Sequence, residues 1–391
     1  INMNYILFDG PNRDKLLPFT FTRPVCEIRA GILTIKEKWD FLLESKTSIL
    51  TEEYLSTKFH LKLTSDNIFI DGSIIPTNEL IDLITKLENN QCLSKGDHII
   101  AYRSNTAEPI NSEFTSFNRV ETGLEYIFIE NTWDIFRFNP HTIESDFKLL
   151  TSDKLSSKIS NTNNIIGDTA QIFIEDGANV EYAYLNTTDG PIYIGKDSHV
   201  MEGSKIRGPF ALCNNSTIKM DAKIYSGTTV GPYSKVGGEV SNSVIFGYSN
   251  KGHDGFLGNS VIGEWCNLGA DTNTSNLKNT YDFVRLWSYD ANTFVSTGLQ
   301  FCGLIMGDHS KSGINTMFNT GTVVGVSSNI YGAGFQRNFI PSFMWGGVSG
   351  LKPFNFKKSV DVAIAVFKRR NKDFNDTEQN IFSHLYALSH K

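Results

Sequence analysis

The chain has 391 residues, long enough for two or three domains with a sizeable core. Hydrophobic residues make up 40% and charged residues 20%, and 36 Lys and Arg against 42 Asp and Glu leave a net charge of −6, which argues against a general nucleic-acid or anionic-membrane binder. No apolar run approaches the ~20 residues of a membrane helix, and Ile1 to Leu17 carries no signal-peptide core, so a cytoplasmic protein acting on small molecules is expected. The five cysteines (Cys26, Cys92, Cys213, Cys266, Cys302) are scattered, odd in number and without a C-x-x-C pair, so reduced, buried thiols are expected rather than disulfides or a zinc ribbon.

Residues 3–160 read as a mixed α/β domain. Tyr5–Phe8 is a short buried strand, Gly31–Glu44 a helix, and Ile68–Ile70 and His98–Ala101 further strands. The stretch from Phe8 to Pro24 resembles, without a gap, the sugar-1-phosphate nucleotidyltransferase signature L-x-G-G-x-G-T-R-L-x-P-L-T-x-x-x-P-K-P, chiefly through Pro18-Phe19-Thr20 and Arg23-Pro24. In that family a glycine-rich turn cradles the nucleotide phosphates with backbone N–H groups. Here Pro11 and Arg13 replace two of the glycines, Lys15 stands for the arginine and Val25 for the lysine after proline, and Pro11 has no N–H to donate. The resemblance implies nucleotide binding at Gly10, Arg13, Lys15 and Arg23, with Arg29 as a further cation, and Mg²⁺ on Asp71 or Asp9.

A second pattern governs residues 161–350. From Ile194 a branched aliphatic residue recurs every six positions: Ile194, Val200, Ile206, Leu212, Ile218, Ile224, Val230, Val236. Four residues after each of the first seven come Ser198, Ser204, Phe210, Ser216, Ala222, Thr228 and Ser234, small in every case but Phe210. A period of six suits neither a 3.6-residue helix nor a simple alternating strand. It suits a flat-sided coil of three hexads, about 18 residues per turn, with the aliphatic anchor pointing inward and the small residue at a corner. Ile166-Gly167 and Ile172 open the coil, and Ile262, Leu268, Met306, Ser312, Phe318, Val324 and Ile330 resume it. The interval from Asn273 to about Thr297 fits no hexad and reads in part as an excursion.

This periodicity resembles the hexapeptide-repeat transferases, which implies a left-handed parallel β-helix that associates as a homotrimer. Within it, Lys251-Gly-His-Asp-Gly-Phe-Leu-Gly258, Val261-Ile-Gly-Glu-Trp-Cys-Asn-Leu-Gly-Ala270 and Ser275-Asn-Leu-Lys278 follow one another in the order of the acetyltransferase segment of the GlmU-like bifunctional family. The resemblance implies that His253 is the general base of acetyl transfer, for which an imidazole titrating near neutrality is suited. It further implies that Asn267, Phe256 and Lys251 bind the sugar phosphate and that Ala270 and Asn276 meet acetyl-CoA. Phe256 replaces a family tyrosine, as does Leu277, and the family's basic phosphate ligands have no clear counterpart near Tyr225 and Ser241.

Residues 351–391 read as a helical tail. Val360–Arg370 forms one helix, and Asn375-x-x-Glu378 reads as a capping box opening a second that carries Ile381, Phe382, Leu385 and Leu388. Lys357, Lys358, Lys368, Arg369, Arg370 and Lys372 make the tail basic enough to hold CoA phosphates. The expectation is a bifunctional sugar-1-phosphate nucleotidyltransferase and glucosamine-1-phosphate N-acetyltransferase that uses acetyl-CoA, Mg²⁺ and UTP or dTTP to make UDP-N-acetylglucosamine or a related nucleotide sugar. Two alternatives stay open: a glucose-1-phosphate thymidylyltransferase with a non-catalytic solenoid, and a lapsed sugar-nucleotide-binding protein.

Overall fold

The computed structural model describes residues 3–106 and 116–390. The chain divides into two compact units. The first comprises residues 1–16, 22–28 and 33–130; the second comprises 17–21, 29–32 and 131–391.

In the first unit a six-stranded sheet is built from β1 (Asn4–Phe8), β2 (Ser48–Leu50), β3 (Asn67–Asp71), β4 (Gln91–Lys95), β5 (His98–Ser104) and β6 (Asn118–Glu121), in the order β2-β1-β3-β5-β4-β6. The apolar runs at β1 and β3 make them central, paired in parallel from Asn4↔Asn67 to Phe8↔Asp71, and β5 runs antiparallel beside β3. Their parallel alignment brings the ends of β1 and β3, with Gly10 and Asp71, to one edge of the sheet.

Helices α1 (Ile35–Leu42), α2 (Glu53–Ser56) and α3 (Asn78–Thr85) complete the first unit. The helix expected from Gly31 begins four residues later. Gly31 is left-handed at φ +84°, and Thr34 caps α1 by a reciprocal pair of bonds with Glu37. Trp39 anchors the helix, fully buried, with its indole N–H donating to Ile74 O at 2.9 Å.

The second unit is a parallel β-solenoid. Its three faces are one of six strands from Asn164–Ile166 to Phe256–Gly258, one of nine from Ile172–Ile174 to Phe339–Ile340, and one of ten from Asn179–Val180 to Gly350–Pro353. Each hexad anchor from Ile194 to Val236 is at most 3% exposed, stacked on its counterpart one turn away, as Ile194 on Leu212 and Ile218 on Val236. Corner residues use their hydroxyls: Ser204 Oγ donates to Lys219 O at 2.8 Å and Ser234 Oγ to Phe246 O at 2.9 Å, satisfying carbonyls where the chain turns. Phe210, the large exception, is fully buried.

Asn273–Thr274 belongs to the coil rather than to the excursion, because it pairs in parallel with Met317–Phe318. The excursion carries an antiparallel hairpin, Arg285–Ser288 with Thr293–Ser296. Helices α4 (Thr132–Arg137) and α5 (Asn139–Thr151) lie in the solenoid unit although they precede residue 160. Their apolar side chains Ile143 and Phe147 find their burial against Phe173, Tyr193 and Ala211 of the nine-stranded face.

The tail forms α6 (Phe356–Lys368) and α7 (Asp376–Ser389), the latter with Asn375 Oδ1 accepting from Glu378 N. All five cysteines are buried, and none is in a disulfide. Among the described residues no helix is long and apolar enough to cross a membrane.

Candidate active site

Position on the ten-stranded face is set by the coil. Residues immediately before the inward anchors point outward, and the ladder aligns Lys235 with Asn250, Asn250 with Asn267, and Asn267 with Lys311. A cation, two amides and a second cation therefore stand in one row, each a single strand spacing of about 4.8 Å from the next. Immediately after the anchors the chain carries Lys219, Gly237, Gly252, Gly269 and Gly313, so the corner beside that row is bare backbone beyond Lys219.

These two columns border a cavity of about 720 Å³. His253 forms part of its wall on the segment that leaves the face. The imidazole is exposed, and its ring has no hydrogen-bond partner among the described residues, leaving both nitrogens available. Asn267, Gly269 and Ala270 line the cavity with it, and Lys219, Lys235 and Lys311 add cations. From the tail come Val366, Arg369 and Arg370. Among the described lining residues there are cations but no carboxylate, which suits an anionic ligand.

Two of these cations are held below their ordinary values. Burial pulls Lys311 down to about 8, its ammonium donating to His309 O at 2.8 Å. Arg370 is lowered by burial and then by its neighbour Arg369, and it donates to Asn250 Oδ1 at 3.3 Å. A negative ligand would favour the charged forms of both.

Of the residues that sequence reasoning placed in acetyl transfer, His253, Asn267 and Ala270 meet at this cavity. Three others do not line it. Lys251 is turned into the coil. Phe256 lies on the six-stranded face, where its N–H donates to Asn273 Oδ1 at 2.8 Å, and Asn276 donates to Asn259 Oδ1 at 2.9 Å nearby. Two basic residues at the cavity that sequence reasoning did not single out are Lys219 and Lys235. They flank the anchors Ile218 and Val236, so the hexad register itself was the signal.

In the first unit the nucleotide-binding candidates are distributed among internal partners. A Cβ added to Gly10 would sit 2.5 Å from Asp71 Oδ2, so only glycine fits against that carboxylate. Arg13 lies 3.3 Å from Asp9 and donates to the Tyr54 hydroxyl at 2.9 Å, Lys15 pairs with Glu130 at 2.7 Å, and Arg23 is buried at 4% exposure. Arg29 belongs to the second unit, with its guanidinium bonded to Ile32 O.

The two carboxylates put forward for Mg²⁺ do not suit it. Mg²⁺ takes an octahedron of oxygens, several of them water. Asp71 is fully buried, its Oδ1 accepting from Ser73 N and Oγ and its Oδ2 lying 2.9 Å from His98 Nε2, whose Nδ1 is 2.8 Å from the Tyr126 hydroxyl. Asp9 accepts from Val25 N and Thr51 Oγ1 beside Arg13, and burial pushes it up to about 6. Among the described residues no cluster of three His, Cys, Asp or Glu side chains could hold a metal ion.

Residues 5–155, ahead of the β-solenoid in the chain, match the family described as sugar nucleotidyl transferase. The chain is 28% identical over 204 residues to the bifunctional protein GlmU of Methanococcus maripaludis, covering 52% of this chain and 42% of that one. It is 33% identical over 118 residues to the bifunctional protein GlmU of Methanocaldococcus jannaschii, covering 30% and 26% respectively. Over 144 residues it is 30% identical to the bifunctional sugar-1-phosphate nucleotidylyltransferase/acetyltransferase of Sulfurisphaera tokodaii, covering 36% of this chain and 35% of that one. The chain is similar to these bifunctional proteins over the matched stretches, which span less than half the length of each of them.

Proposed function

We propose that the solenoid unit transfers an acetyl group from acetyl-CoA to the amine of glucosamine-1-phosphate, and that the first unit joins the sugar phosphate to a nucleotide. The observation that carries the first part is the unbonded imidazole of His253 in the wall of a cavity lined by Lys219, Lys235, Arg369 and Arg370. In this reading Lys219 and Lys235 hold the sugar phosphate, Asn267 orients the sugar, and Arg369 and Arg370 meet the phosphates of CoA. His253 accepts the proton that the amine loses as its nitrogen bonds to the thioester carbonyl carbon. The carbon–sulfur bond then breaks, and CoA leaves as the thiol once a proton reaches its sulfur. The excess of cations favours the bound anions.

For the first unit the support is the family match over residues 5–155 and the junction of Gly10 with Asp71. Nucleotidyl transfer there uses UTP or dTTP. A second reading, nucleotide-sugar binding without turnover, is favoured by the internal pairing of Arg13 with Asp9 and Lys15 with Glu130. The proposed assembly is a homotrimer, and the proposed compartment is the cytoplasm, where acetyl-CoA and nucleoside triphosphates are at hand.

One assay tests these parts. The protein is incubated with glucosamine-1-phosphate, acetyl-CoA, each nucleoside triphosphate and Mg²⁺, and thiol and pyrophosphate are followed separately. Release of both supports the bifunctional reading. Thiol alone leaves the acetyltransferase with a binding-only first unit, and pyrophosphate alone makes the solenoid a scaffold.

A further inference from the structure

Inside the ten-stranded face the anchors run Val200, Ile218, Val236, then Lys251, then Leu268, one per rung. A lysine thus occupies an aliphatic position of the core, 3% exposed between Val236 and Leu268 at 0% and 3%. An ammonium in such a place costs several kcal/mol unless its hydrogens are used. Two are: Nζ donates to His253 O at 2.6 Å and to Gly237 O at 3.0 Å. No carboxylate is paired with it, although Asp254 and Asp271 attract it from a distance, and burial pulls the group down to about 8.

The rung below has been shaped for this link. Gly238 is left-handed at φ +72°, and a Cβ there would come within 2.8 Å of both Lys251 Nζ and His253 O. A Cβ on Gly237 would meet Gly252 O at 2.8 Å. The two glycines leave the space that the Lys251 ammonium and the His253 carbonyl fill. The link therefore joins an interior side chain, a glycine carbonyl one turn earlier, and the backbone of the residue whose ring stands in the cavity.

We propose that Lys251 is a positioning residue for His253, its buried ammonium pinning the His253 carbonyl to the preceding rung and so setting where the imidazole stands. This rests on the reading of His253 as the base of acetyl transfer. It replaces direct binding of the sugar phosphate by Lys251, since that ammonium faces the coil and both of its bonds go to backbone. Apolar anchors at the same place in other rungs would seal the core equally well, so the lysine is needed for the segment it holds.

The test compares the full-length wild type with Lys251→Met, His253→Ala and the double variant. Methionine matches the aliphatic column, so folding is expected to be retained; should it not be, Lys251→Leu, the residue that Leu268 supplies one rung on, takes its place. Lys251→Met is expected to lower kcat for acetyl transfer by about 10- to 100-fold, the scale of a misplaced catalytic group, with KM for acetyl-CoA nearly unchanged. Amide hydrogen exchange at 252–255 should speed up, and the double variant should be no slower than His253→Ala. Wild-type kcat, unchanged exchange, or losses that multiply in the double variant would overturn the proposal. Full activity of His253→Ala sinks the base assignment by itself, and faster exchange at 252–255 would then still support the pin.

Discussion

The rings of Tyr248 and Trp265 stack 4.2 Å apart, 9° from parallel, at successive corners of the solenoid, and Phe367 of α6 closes on Trp265 at 3.9 Å. Both corner residues are left-handed, at φ +61°. This column is where the tail grips the coil, and it brings Arg369 and Arg370 to the cavity. Trp265→Ala is expected to cost about 3–5 kcal/mol, the usual penalty for emptying a large aromatic site. Hydrogen exchange should rise in α6 before it rises in the coil, and KM for acetyl-CoA should increase. Exchange that rises equally everywhere would mean that the stack supports the coil rather than the tail.

Lys219 and Lys235 are assigned to the acceptor's phosphate. Lys235→Met is expected to raise KM for the sugar phosphate by about 10- to 100-fold, as expected for a hydrogen bond to a charged group, with a smaller change in kcat. The salt dependence of KM should weaken in the same variant. A KM for acetyl-CoA that rises instead would move this lysine to the other substrate.

Much of the fold could be read from the order of residues, and the reason is geometric. Eight aliphatic anchors at intervals of six leave few ways to bury all of them, and the coil found is the one that does. The register broke where turns shorten: Val236, Val240 and Ile245 are four and five apart, yet all three are fully or almost fully buried. The start of α1 was misplaced because hydrophobic spacing runs through Gly31, whereas the left-handed turn there and the Thr34–Glu37 cap set the boundary. At the site, His253, Asn267 and Ala270 were legible from a motif. Lys251 was not, since an outward, substrate-binding lysine is the ordinary expectation and only the register shows it facing in.

Two buried groups make stability depend on pH in opposite senses. Asp9 holds its proton to about 6 in the fold against 3.8 in its ordinary state, so the folded chain binds more protons between those values. Its contribution to stability is present below 3.8 and is lost as pH rises through about 6. Asp9→Asn should remove that slope, a difference on the order of 3 kcal/mol at 1.36 kcal/mol per pKa unit. Urea midpoints for the two proteins between about pH 3 and pH 7, roughly one unit beyond each end of the window, check it; parallel curves would place Asp9 in a more solvated setting.

For Lys251 the folded value is about 8 against 10.5, so the unfolded chain binds more protons in that interval and stability rises with pH across it. Lys251→Met should therefore be more stable than the wild type below pH 8, by a margin that shrinks as pH climbs towards 10.5. Thermal unfolding of both proteins at several pH values gives the comparison. A constant margin would show that the ammonium is not desolvated.

In the proposed mechanism His253 removes the proton from the acceptor amine. The most direct test is the rate of thiol release from acetyl-CoA by His253→Ala with glucosamine-1-phosphate, measured on protein whose far-UV dichroism and oligomeric state match the wild type. A loss of ~10²–10⁴-fold is expected, while pyrophosphate release by the first unit, where present in the wild type, hardly changes. Acetyl transfer at the wild-type rate would contradict it and leave His253 as a structural residue of the coil.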